Sequence, residues 1–442
     1  MQGGFGQRTS PSEGVLDRVF AKALWLENDD ATVLLITADL IAMPSQISKP
    51  VVERLAAATG LTSQQILLCA SHTHSGPVPV GAPEASGVAQ YSAFLIERLV
   101  DVGLDAGADL VPCTMGTGIG AVDAFFNRRT RGEPNLVDRR IPVLAVRDAV
   151  NDDVLAVVFG AGCHPVTLGW ENQLISGDYP GAAQRCVEER LAGSTAMFVN
   201  TTEANVIPVT SPNRDALDPR GYQQSSADDA QWVGCAIADE VLRVLPDIVT
   251  TPKARLGSAR RVMRFLPNNA AFDLDSAQHH LQRATAVLGA TCGDDFVERA
   301  DGHLWALASH HVVSTDCNED EMRRVMIACC EYLGLSARVA HGRALEPVDV
   351  PIQVMCLHDL ELLALPGEPL VEVGVAWSDL ANGDRAFVIG LANAHHRYLP
   401  MQEHFTRDDA AVQYDTVTAG LEPSAVDQML IEAAALLPLV RS

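Results

Sequence analysis

Short apolar runs alternating with helical patterns constrain this chain more than any other feature. Residues 31–40 (ATVLLITADL) read as a buried strand, and residues 51–58 as the start of a helix just after Pro50, where a proline is tolerated. Residues 66–70 predict a second strand, and 88–102 carry apolar residues at helical spacing. Residues 141–146 and 154–159 predict strands around a turn at Asn151-Asp152-Asp153, 196–200 another short strand, and 231–245 an amphipathic helix. Residues 273–342 are mostly helical and polar. Strands return at 350–358 and 385–391, and residues 423–437 form a final helix. Alternation of this kind predicts one large α/β unit with a sheet of mixed direction and a helical insertion.

Composition narrows the function classes. The 442 residues are 48% hydrophobic and 20% charged, ordinary for a chain with a sizeable core. A formal net charge of −24 repels phosphate backbones and argues against a nucleic-acid partner. The apolar runs are too short for a transmembrane helix. The start MQGGFGQRTSPSEG shows no basic segment leading into an apolar run, so a cytoplasmic protein is expected. Ten cysteines without a C-x-x-C pair fit that reducing compartment.

Common signatures of nucleotide, zincin and serine-hydrolase chemistry are absent. Gly116-Thr117-Gly118-Ile119-Gly120 lacks dinucleotide-binding spacing and reads as a turn. Ser71-His72-Thr73-His74-Ser75-Gly76-Pro77 directly follows an apolar strand. Residues two apart on an extended chain share a face, so His72 and His74 can converge on one centre. Two loop imidazoles bonded to nearby carbonyls fit the same pattern. His164, in Gly162-Cys163-His164-Pro165, repeats the strand-end setting. Asp178, in Ser176-Gly177-Asp178-Tyr179, either orients His164 or caps the helix that follows. Glu368 stands in Leu365-Pro366-Gly367-Glu368-Pro369 beyond another strand, and Tyr398 in Asn393-Ala394-His395-His396-Arg397-Tyr398 beyond a fourth. His395 and His396 are pocket candidates beside Tyr398. The pairs His279-His280 and His310-His311 lie in polar helical stretches and read as surface or packing residues.

Taken in order, S-H-T-H-S-G-P, G-C-H-P, S-G-D-Y-P-G, L-P-G-E-P and N-x-x-x-x-Y-L-P resemble the neutral/alkaline non-lysosomal ceramidase family. The likeness runs from the strand ending near Asp39 to the last helix. It implies a zinc-dependent amidase domain over residues 1–442, with a helical insertion at about 273–342 and no C-terminal immunoglobulin-like domain. By matched motif, the resemblance implies His72, His164, Glu368 and Tyr398 as zinc ligands and His74 as the acid/base residue beside the attacking water. Arg128, in Phe126-Asn127-Arg128-Arg129, matches the family's active-site arginine. Tyr414, in Gln413-Tyr414-Asp415, matches its later tyrosine at a longer spacing from Tyr398.

One segment departs from the family. Where members carry G-x-x-G-D-x-S-P-N, this chain has Thr201-Thr202-Glu203-Ala204-Asn205-Val206-Ile207-Pro208. Thr201, Ala204, Asn205 and Ile207 replace the glycines, the acid and the serine, which argues against ceramide itself as substrate. The expectation is a Zn2+ hydrolase in which metal-activated water attacks an N-acyl carbonyl of a small-molecule or lipid-like substrate. The alternatives are a zinc esterase, lactonase or lyase, or a metal-binding protein without catalysis.

Overall fold

Which way each apolar residue points along its strand decides the architecture. A computed structural model of the chain describes residues 2–5, 8, 10–80, 87–129, 135–211, 226–268, 274–300, 304–315, 317–341, 346–406 and 414–441. Three mixed sheets dominate. The first has the order β2 (Ala21–Glu27), β3 (Thr32–Ala38), β4 (Ile66–Ala70), with β3 and β4 parallel. The second runs β10 (Thr195–Asn200), β8 (Val154–Ala161), β7 (Arg140–Asp148), β5 (Cys113–Ala121), parallel between β10 and β8 only. The third runs β12 (Leu256–Phe265), β13 (Val348–Leu357), β14 (Leu360–Ala364), β16 (Ala386–Ile389), parallel between β14 and β16. Three two-stranded ladders complete the sheets: β1 (Gly14–Val15) with β9 (Leu174–Ile175), β6 (Phe125–Asn127) with β11 (Val206–Pro208), and β15 (Glu368–Pro369) with β17 (Tyr398–Leu399).

Alternate residues of each strand go to different cores, as the pleat requires. Val33 and Leu35 of β3, Leu67 and Cys69 of β4, Ala156 and Val158 of β8, and Met355 and Leu357 of β13 meet in one central core shared by all three sheets. Their neighbours Leu34, Ile36, Leu68, Val157, Phe159, Ile352 and Val354 face outwards onto helices. The first sheet is covered by α1 (Ser45–Thr59) and α2 (Val88–Ala108). The second is covered by α3 (Asp178–Arg190) and α4 (Ala227–Val244), which are joined by the Cys186–Cys235 disulfide. The third carries α9 (Val371–Leu380) and α12 (Ala425–Arg441).

The insertion consists of α5 (Leu274–Cys292), α6 (Phe296–Ala300), α7 (Leu304–Thr315) and α8 (Glu319–His341), with a core of its own around Leu288, Phe296, Val312 and Met326. Residues 273 and 342, its expected limits, lie outside the described residues. Short helices α10 (Gln402–Phe405) and α11 (Tyr414–Val417) follow β17. No helix among the described residues is long and apolar enough to cross a membrane.

Two local expectations are corrected. Gly116-Thr117-Gly118-Ile119-Gly120 is no turn but the middle of β5. Its glycines share one face, pressed against α4 and the chain beyond it: a Cβ on Gly118 would lie 2.5 Å from Val244 Cγ1, and one on Gly116 2.3 Å from the Val249 carbonyl oxygen. Helix α1 begins at Ser45 and contains Pro50. Its stripe Ile47, Val51, Leu55 packs onto the first sheet, and that burial carries the helix past the proline.

Candidate metal centre

Every sequence-predicted ligand is reached by the chain as it leaves the C-terminal end of a sheet strand. His72 and His74 follow β4, His164 follows β8, Glu368 follows β14 and Tyr398 follows β16. Backbone hydrogen bonds stitch these ends together across the sheets. Ala70 N donates to Leu391 O (3.3 Å), Leu391 N to Gly367 O (2.7 Å), Gly390 N to Asn200 O (3.0 Å) and His164 N to Val206 O (2.8 Å). The β15–β17 ladder pairs Glu368 directly with Tyr398. His72 takes φ 70°, and Leu391, Asn393 and Arg397 in the loop before β17 also have positive φ. Left-handed backbone at non-glycine residues is costly and persists only where surrounding structure holds it.

Orientation of the imidazoles follows from their outer nitrogens. His72 Nδ1 lies 2.6 Å from Ile41 O, and His164 Nδ1 lies 2.9 Å from Glu203 O. A carbonyl can only accept, so each Nδ1 carries the proton and, in the neutral ring, each Nε2 presents a lone pair. Burial, reinforced by Arg128 and His72, holds His164 well below the usual imidazole range and keeps it neutral. The two Nε2 atoms are 3.2 Å apart, and His74 Nε2 lies 3.4 Å from that of His72. Glu368 Oε2 lies 3.5 Å from His72 Nε2 and 3.6 Å from His164 Nε2. Burial pushes the Glu368 carboxyl up, but the charge and hydrogen bond of His72, with His395 and the Tyr398 hydroxyl, more than reverse this and leave it below its ordinary value. The Tyr398 hydroxyl is 3.3 Å from His164 Nε2 and accepts from Arg128 Nη2 at 3.3 Å. Inward-facing lone pairs and a carboxylate at such spacing fit a cation between them. His72, His74 and His164 together could hold a metal ion, their candidate ligand atoms all lying within 4.8 Å of one another.

The remaining sequence-predicted residues occupy the rim. Arg128 is buried, and its guanidinium also donates to Ala204 O at 3.1 Å. Tyr414 stands one ring further out, edge-on to Tyr398 with centroids 5.3 Å apart. His395 Nε2 lies 3.8 Å from Glu368 Oε1. Asp178 neither orients His164 nor serves as the N-cap, which is Gly177. It accepts from Leu168 N (2.9 Å), Tyr179 N (2.6 Å) and the Thr167 hydroxyl, pinning the loop after His164 to the start of α3.

The departing segment forms a wall of the centre. Ile207 is buried in a small apolar cluster with Phe5 and Val166, flanked by Phe126 and Trp170. Asn205 donates to Glu372 Oε2 (2.9 Å) and accepts from Val371 N (2.9 Å), tying the wall to α9.

Two participants were missed in the sequence. Glu203 is fully buried with neither carboxylate oxygen hydrogen-bonded, and burial together with Glu368 pushes its carboxyl well up. An acid three residues beyond an apolar strand was the available signal. Arg8 donates to Gly169 O (2.8 Å), Trp170 O (3.1 Å), Gly3 O (3.1 Å) and the His74 carbonyl, laying the N-terminal segment over His74. Nothing in the local pattern around Arg8 pointed there.

No family model matches the chain. Among curated proteins it is 23% identical over 452 residues to the neutral ceramidase of Mycobacterium tuberculosis, covering 91% of this chain and 69% of that protein. It is also 23% identical over 486 residues to the neutral ceramidase of Pseudomonas aeruginosa, covering 98% and 69%. Over nearly its whole length the chain is similar to neutral ceramidases. Solved structures share the fold. A ceramidase complexed with C2 superposes with TM-score 0.69 at 19% identity, over 99% of this chain and 72% of that one. The neutral ceramidase of P. aeruginosa gives 0.68 at 19% identity, over 99% and 71%.

Proposed function

We propose that this chain is a member of the neutral ceramidase family and works as a zinc-dependent amidohydrolase on N-acyl compounds, with His72, His164, Glu368 and Tyr398 as the metal ligands. The convergence of two proton-free Nε2 atoms and one carboxylate oxygen at 3.2–3.6 Å carries the reading. Zinc bound there supplies a Lewis acid that polarises the carbonyl and makes water acidic near neutral pH. His74 takes the proton of the attacking water at Nε2 and returns it to the leaving nitrogen. Burial, with His72 and Arg8, holds His74 well below the usual imidazole range, so it stands ready as a base. The Arg128 guanidinium, fixed on Ala204 O and the Tyr398 hydroxyl, faces the carbonyl oxygen as charge develops, and Tyr414 supports that side.

The substrate in this reading is a small-molecule or lipid-like amide other than ceramide. Ile207 offers no hydroxyl to a polar headgroup, and leaving one buried polar group unpaired costs about 1–3 kcal/mol. The same remodelled wall favours a second reading, an esterase, lactonase or lyase with the same metal. Elemental analysis of gently purified protein is expected to find about one zinc per chain, lost from the His72→Ala, His164→Ala double variant. Zinc retained in that variant removes the ligand assignment. A panel of N-acyl compounds, esters, lactones and dispersed ceramide then sorts the chemistry. Ester or lactone turnover without amide turnover selects the second reading, and zinc without any turnover points to a metal-binding protein.

A further inference from the structure

We infer that Trp305 is a positioning residue of the metal centre, through which the helical insertion seats Tyr414 against Tyr398. Only the kinetic consequence rests on the amidohydrolase reading. Tyr414 packs both on the core of the insertion and on the core of the third sheet, so the two cores meet at this side chain. Trp305, on α7, meets the Tyr414 ring at 6.2 Å between centroids and 70° between planes. Tyr414 in turn meets Tyr398 at 5.3 Å and 89°. Tyr398 lies nearly parallel to the His164 ring, at 20°, with its hydroxyl 3.3 Å from His164 Nε2.

Edge-to-face pairs are directional, because the positive edge of one ring seeks the negative face of the next. Two such pairs in series form a rigid path from the insertion to the candidate ligand. A third contact closes the clamp. The Arg129 guanidinium lies 5.8 Å from the Tyr414 ring centre and is fixed by two 2.8 Å hydrogen bonds to Asp415, the next residue along. Removal of the indole frees one side of Tyr414 and takes the backing from Tyr398, while His72, His164 and Glu368 keep their own supports. The insertion thereby gains a role at the centre without contributing a ligand.

The test begins without turnover. The 442-residue chain labelled with 3-fluorotyrosine carries six reporters, one per tyrosine, assigned by single Tyr→Phe changes. Trp305→Ala is expected to shift the fluorine signals of both Tyr414 and Tyr398 and to leave those of Tyr91 and Tyr179 in place. Trp305→Phe, which keeps an aromatic edge, is expected to restore most of the shift. An unmoved Tyr398 signal overturns the inference, and so does equal movement at Tyr91 and Tyr179, which marks a general loosening.

A kinetic arm uses the zinc-loaded enzyme and whichever N-acyl compound of the panel it hydrolyses. Trp305→Ala should lower kcat/KM about ten- to 100-fold at unchanged zinc content. In a Tyr414→Ala background, where no ring remains to pass the effect on, it should lower it no further. Independent multiplication of the two losses overturns the inference. Absence of wild-type turnover counts against the amidohydrolase reading alone, and the fluorine spectra then decide the role of Trp305.

Discussion

His72 and His74 are two residues apart on the same loop, yet the structure gives them different surroundings. His72 is buried, anchored through Nδ1 on Ile41 O and aimed by its Nε2 at His164 and Glu368. His74 keeps part of its surface open and stands beside both His72 and His164, with its ring centroid 5.5 Å from that of His164. His74→Ala should therefore keep the metal and lose about 10²–10⁴-fold in kcat, read from zinc content and turnover in parallel. Metal loss equal to that of His72→Ala would make both residues ligands. Glu203 makes a second, independent claim. The unfolded chain releases this proton near pH 4, at about 4.3. The folded chain keeps it, because burial raises the carboxyl well above its ordinary value. The folded state thus binds more protons across that window, and stability falls as pH rises until the raised folded value is passed. Urea melts of metal-free protein between pH 5 and 8 should show Glu203→Gln gaining on the wild type as pH rises. Parallel curves would mean that Glu203 has found a partner. The candidate ligands were legible because each stands in a strand-end motif. Glu203 and Arg8 were not, because their importance lies in what they face across the fold.

Strand β5 shows where local pattern misleads. Three glycines at every second position look like a turn, since glycine is the usual turn former. The pressure that selects them comes from α4 and the chain beyond it, more than 100 residues later, and no local reading contains it. Gly118→Val should destabilise the protein by about 1–3 kcal/mol through overpacking against Val244, measured as a lower denaturant midpoint at unchanged slope. A neutral outcome would mean that α4 can move away. The apolar strands β3, β4 and β8 were read within a few residues, because burial on both faces leaves a nearly continuous apolar run. The start of α1 was misplaced because its packing stripe outweighs Pro50.

Mixed α/β architecture and the insertion were both foreseeable from alternating patterns, but the division into three sheets was not. Which strand joins which sheet depends on pairings far apart in sequence, such as β12 with β13 and β10 with β8. The centre lies where the C-terminal ends of those sheets meet. His72 follows a strand of the first and His164 a strand of the second, while Glu368 and Tyr398 stand in the β15–β17 ladder, whose strands follow β14 and β16 of the third. A bound ion therefore ties all three, and its binding free energy adds to folding. Zinc at 1,000 times its dissociation constant contributes about 4 kcal/mol. Calorimetry with and without a chelator should show Tm falling by several degrees on metal removal, and an unchanged Tm would mean that no ion bridges the sheets. The same arrangement bears on how the protein is made. Synthesis runs from the N-terminus at about 5–20 residues per second, so the loop with His72 leaves the ribosome well before Tyr398 exists. A nascent chain can offer an ion at most part of its cage, and the centre closes only after translation has passed the third sheet. In the proposed reading, metal supply would then act on finished molecules rather than on the nascent chain.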